Sequence, residues 1–136
     1  MKKTIFDRRG QGYIDVVISV LVIVFLLILA MSVWSIVTLK QDVRYFCNEL
    51  LETAASTGQI GDEVEARYYA LCEESGLNPK VEFSATYFDA SSKKVQYGKI
   101  IKCTVTCRMT LPGFGDFKFP INVTETLSGL SRHYWK

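Results

Sequence analysis

Hydrophobic and polar positions divide this chain into three regimes. In the first, Val16 to Leu39, no Asp, Glu, Lys or Arg occurs and the apolar residues cover every helical face. As a helix these 24 residues would reach roughly 36 Å, enough to cross a bilayer core of about 30 Å with tilt. A chain of 136 residues is too small to bury such a helix on all sides, which argues against the core helix of a soluble protein. A cleaved secretory signal has a shorter apolar region, typically about 7–15 residues. Ala30 and Ser32 have the spacing of its cleavage site but lie inside the run.

In the second regime the pattern takes a helical period. In KQDVRYFCNELLETAAST the residues Val43, Phe46, Cys47, Leu50, Leu51 and Ala54 recur at intervals of three and four, giving one apolar face. Neither Pro nor Gly falls between Tyr13 and Thr57. The prediction is one continuous helix from about Ile14 to about Ser56, apolar all round in its first half and amphipathic in its second. Gly58 and Gly61 then bracket a turn. Asp62 suits an N-cap, with Glu65 three residues on. The helix DEVEARYYALCEES is predicted to follow, with Val64, Tyr68, Leu71 and Cys72 on one side. Gly76 suits its left-handed end, and Pro79 forbids continuation.

In the third regime, from Lys80, the period becomes two. VEFSATYF alternates apolar and polar residues, DASSKK is a turn, and VQYGKIIKCTVTCRMTL reads as a long strand with a bulge at Gly98. PGFGDF is a second turn and FKFPINVTETLSG a further strand, at a sheet edge because of Pro120. Such a sheet needs a cover for its apolar face, and the two amphipathic helices supply it. The predicted fold class is α+β: a long amino-terminal transmembrane helix extending into a second helix plus an antiparallel three- to four-stranded sheet.

Charge adds an orientation. Lys2, Lys3, Arg8 and Arg9 stand against Asp7 before the apolar run, and positive flanks stay in the cytoplasm. The remainder is therefore expected outside. Beyond Leu39 basic and acidic residues balance at 12 each, so no basic stripe for nucleic acid is expected.

Four cysteines, Cys47, Cys72, Cys103 and Cys107, are expected in this outer domain. Cys103 and Cys107 share one face of a strand and lie about 13 Å apart, too far to bond each other. Two bridges stapling sheet to helices are expected, with the pairing open; the alternative is four buried free thiols. C-x3-C on a strand splays its ligands, so no metal site is expected. His133 is the only histidine, there is no G-x-S-x-G and no phosphate-binding glycine loop, and no cofactor is expected. The sequence argues against an enzyme.

One residue remains, Asp15, a lone carboxylate at the mouth of the apolar run. It could cap a helix N-terminus, where the dipole favours negative charge. RRGQGYIDVVISVLVIVFLLIL, however, resembles the amino-terminal signal of type IV prepilins and of TadE-like minor pilins. The order of long helix, second helix and strands is similar to TadE-like proteins. FGDFKFPI and GLSRHYWK resemble a TadE-like family carried by conjugative and integrative elements of Gram-positive bacteria. The resemblance implies a basic leader ending at Gly10, removed by a prepilin-type peptidase to leave Gln11 as the new amino end and Asp15 as the fifth residue. It further implies that Asp15 neutralises the amino group of a neighbouring subunit in an assembly. Cleavage between Gly12 and Tyr13 would instead make Asp15 the third residue.

The organisation expected is a cytoplasmic leader over 1–10, a transmembrane helix over 11–39 and an extracytoplasmic domain over 40–136. The function implied is a pilin-like structural subunit of a pilus or secretion/conjugation surface assembly. Its partners would be membrane lipid, the peptidase, and other pilin-like subunits or itself, with no nucleic acid. The alternative is an unprocessed single-pass membrane protein whose outer domain binds a ligand or partner.

Overall fold

The computed structural model describes residues 8–112, 116 and 118–136, with side chains from residue 12 onward and that of Pro112 left aside. Residues 1–7 of the expected leader and most of the expected PGFGDF turn lie outside the described residues. Two helices precede three strands: α1 (Arg8–Thr57), α2 (Asp62–Ser75), β1 (Lys80–Ala85), β2 (Ile100–Pro112) and β3 (Lys118–Leu130). This is the α+β arrangement the pattern predicts. The chain forms two compact units, one ending at Ile36 and the other covering Val37–Lys136.

The described residues of the first unit are helix alone. α1 starts at Arg8, earlier than the predicted Ile14. Gly10 and Gly12 cost only about 1 kcal/mol each as helix breakers, which the propagation of a 50-residue helix outweighs. The stretch is long and apolar enough to cross a membrane, and none of its most apolar window is buried in the protein. This is compatible with a single-pass membrane protein. Its serines suit an apolar medium: the hydroxyls of Ser19, Ser32 and Ser35 donate back to the carbonyls of Asp15, Ile28 and Met31 at 2.7, 2.9 and 3.0 Å. Each of these hydroxyls is thus satisfied within the helix, as hydrocarbon requires.

The second unit has a core of its own. Val43, Phe46, Cys47, Leu50, Leu51 and Ala54, the predicted apolar face of α1, are all buried. They meet Ile101, Cys103, Val105 and Cys107 of β2 and Val123 of β3 in one cluster. α2 adds Val64 and Leu71, with Tyr68 and Cys72 half-buried beside them. The sheet is an antiparallel meander in the order β1-β2-β3, so β1 and β3 are both edges. Register follows from pairs such as Phe83↔Cys103 and Cys103↔Leu127. The opposite face is polar. There Thr104 and Thr126 share a hydroxyl hydrogen bond of 3.0 Å, and Thr106 and Thr124 one of 3.1 Å.

Several boundaries differ from the pattern. Asp62 is the first residue of α2, not its cap; Gly61 holds that position without a side-chain hydrogen bond. Gly76 does end α2, with φ of 67° and its N–H bonded to the Cys72 carbonyl. β1 stops at Ala85 because the chain turns so that Phe88 N–H reaches the Lys94 carbonyl at 2.7 Å. The predicted strand from Val95 begins only at Ile100. Gly98 takes φ of 77° in a turn closed by Lys99 N–H on the Gln96 carbonyl, so it is a turn residue and not a bulge.

Candidate functional site

Asp15 lies in the third turn of α1, since the helix already runs from Arg8. An N-cap role is thereby removed: a cap must stand at the first turn, where N–H groups lack partners. The carboxylate is exposed among exposed apolar neighbours, including Tyr13, Ile14, Val16 and Val17. An ionisable group on such a surface is expensive in lipid unless something pairs with it. Gly10 and Gln11 have helical backbone within α1, and their side chains lie outside the described ones. Gln11 and Asp15 are four apart, so a chain beginning at Gln11 would place its amino group one turn from the carboxylate along the same face.

The four cysteines are free thiols. One helix cysteine makes a hydrogen bond to a strand cysteine. Cys47 of α1 lies on the centre of β2, its Sγ 3.2 Å from the Cys103 carbonyl oxygen and 3.9 Å from that of Glu125. The neighbouring Cys103 side chain and the Leu127 N–H hold the Cys47 thiol below its ordinary value against the opposing effect of burial. The neighbouring Cys47, with burial, drives Cys103 far up. Cys72 of α2 stands beside Tyr68, whose hydroxyl donates to the Pro79 carbonyl at 3.1 Å. Burial alone raises Cys107.

Two features escaped the pattern. Glu125 points toward the helix side of β3 and meets Lys40 Nζ at 3.6 Å. Its parity with Val123 and Leu127 marks it as inward-facing, and an inward charge on an edge strand discourages pairing with other sheets. The second is the tail. Trp135 Nε1–H donates to the Gly58 carbonyl at 3.0 Å, and Trp135 N–H to Gln96 Oε1 at 2.8 Å. Lys94 Nζ sits 4.2 Å from the indole centroid, and Arg132 makes a two-point bond to Glu52 at 2.5 and 3.1 Å. His133 is exposed, its ring tilted against that of Trp135 with centroids 4.4 Å apart. Nothing in the pattern of GLSRHYWK signals this strap.

A cleft of about 800 Å³ opens beside α2 and β1, floored by Leu50, Val64, Tyr68 and Phe83 and rimmed by Asp62 and Lys93. No cysteine or histidine lines it. Among the described residues no three His, Cys, Asp or Glu side chains converge to hold a metal ion.

No curated protein and no solved structure matches the chain. Residues 20–136 match the family described as Domain of unknown function (DUF4320), and the chain belongs to that family.

Proposed function

We propose that this protein is a pilin-like, TadE-like structural subunit of a pilus or of a secretion or conjugation surface assembly. It is anchored once in the cytoplasmic membrane with its amino end inside, processed by a prepilin-type peptidase after Gly10, and assembled through its apolar helix. The observation that carries this reading is Asp15: one carboxylate at the start of the apolar, unburied stretch of α1, one turn from the amino group that cleavage would create. A neighbouring subunit's amino group would neutralise it, and in an apolar setting such a pair is far better than either bare charge. The compact outer unit, with its polar sheet face, is what the assembly would present. No catalytic role is assigned to any residue.

The test is intact mass and amino-terminal sequencing of the protein from the membranes of its own host, where a chain beginning at Gln11 is expected. Asp15→Ala should still insert in the membrane but lose assembly about a hundredfold or more, since removing one partner of a buried ion pair costs roughly 3–5 kcal/mol. Filaments or cross-linked oligomers at wild-type levels from that variant would overturn the role of Asp15.

The cleft beside α2 favours a second reading, an unprocessed anchored module that binds a ligand through its outer unit. It predicts a mature chain that retains its leader and is indifferent to substitution of Gly10.

A further inference from the structure

The pair Cys47 and Cys103 does nothing in the function proposed above, yet its placement is specific. Both side chains are wholly buried, one from α1 and one from the middle of the central strand β2. Folding alone brings the Cys47 sulfur to 3.2 Å from the main-chain oxygen of Cys103. Cys72 lies on α2 beside Tyr68, whose hydroxyl donates to the Pro79 carbonyl, and Cys107 lies four residues along β2, about 13 Å from Cys103. The pair also bridges distant parts of the sequence, 56 positions apart, which is the kind of link that most restricts an unfolded chain.

We propose that Cys47 and Cys103 close as an intrachain disulfide when the outer unit folds in an oxidising compartment, locking α1 to the centre of the sheet, while Cys72 and Cys107 stay as thiols. The oxidant is a disulfide carrier, either a dithiol oxidoreductase or oxidised glutathione. The Cys47 thiolate attacks one carrier sulfur; the carrier S–S bond breaks and its other sulfur leaves, taking up a proton. The Cys103 sulfur, giving up its own proton, then attacks Cys47 Sγ. The protein S–S bond forms and the second carrier thiol departs. Two electrons pass to the carrier, which ends as two thiols. Because neither sulfur is reachable in the folded unit, exchange belongs to folding, and the finished bond resists outside reductants. The link is a lock and not a switch. It rests on the outer placement proposed above, and not on pilus assembly.

The full chain, unfolded and reduced, is refolded into detergent micelles in a mixture of oxidised and reduced glutathione. Thiols are then alkylated in denaturant without reductant and the chain is mapped by mass. The expected result is two alkylated cysteines, Cys72 and Cys107, and one linked peptide pair holding Cys47 and Cys103. The double variant Cys72→Ser/Cys107→Ser should keep the link, which shows it independently of any folding defect in Cys47→Ser or Cys103→Ser. Four alkylated thiols, or a link through Cys72 or Cys107, would overturn the pairing. A link after refolding but four free thiols in chain taken from host membranes would overturn the lock in the cell and the outer placement with it. The start at Gln11 would still be decided by its own test.

Discussion

Gly58 shows what a single residue without a side chain contributes. It leaves α1 with φ of 70°, a left-handed conformation that side chains rarely adopt, and a Cβ there would run into His133 Cβ. Strain and collision act together, so Gly58→Ala is expected to destabilise the outer unit by about 2–3 kcal/mol, read as a lower urea midpoint. Asp89 makes a case in charge. Its carboxylate accepts from the Ser91 hydroxyl at 2.7 Å, from the Ser92 hydroxyl at 2.7 Å and from Ser91 N–H at 3.0 Å. These bonds, with Lys94 nearby, lower its pKa from 3.8 to about 2. A carboxyl group depressed in the folded state adds stability above its unfolded value and loses it as pH falls toward the folded value. Thermal midpoints should therefore drop as pH falls from about 4 to about 2, and Asp89→Asn should flatten that part of the profile. An identical slope in the variant would remove the carboxylate from the account.

At the scale of elements, the second half of α1 dominates the core. Phe46 is 1% exposed and meets the Tyr68 ring edge-on, with centroids 5.7 Å apart. Phe46→Ala should cost about 3–5 kcal/mol in chemical denaturation, whereas Tyr45→Ala, at a residue 55% exposed, should stay within about 0.5 kcal/mol. Equal losses would mean that the helix face is misassigned. This face was legible in advance because a helix repeats its burial every three to four residues. Strand ends were not. Tyr87 keeps the inward alternation beyond the true end of β1, and Val95 is buried ahead of β2, so burial continues where the hydrogen-bonded ladder does not. The cap of α2 was misread for a related reason. Asp62 has the side chain for the role, but the backbone places Gly61 there.

For the whole molecule, the division at Val37 makes a separable claim. A chain trimmed to Val37–Lys136 should remain folded by circular dichroism and stay in the soluble fraction, while the full chain should resist alkaline extraction from membranes. A trimmed chain that aggregates or melts would show that the outer unit depends on its anchor. The anchor could be foreseen from length and apolarity, and Asp15 from its isolation as a charge. The strap of residues 131–135 could not, because its bonds join Gly58, Gln96 and Glu52 across long sequence distances that no local pattern encodes. That same strap bears on when the protein can fold. Glu52 waits 80 positions for Arg132, and Gly58 waits 77 for Trp135, so this is a topology of high contact order, slow to form. In the outward placement proposed above, the apolar side of α1 would emerge from the membrane well before the strands that cover it. The unit would then cross with that surface bare and become native only after residues 131–135 had followed it through.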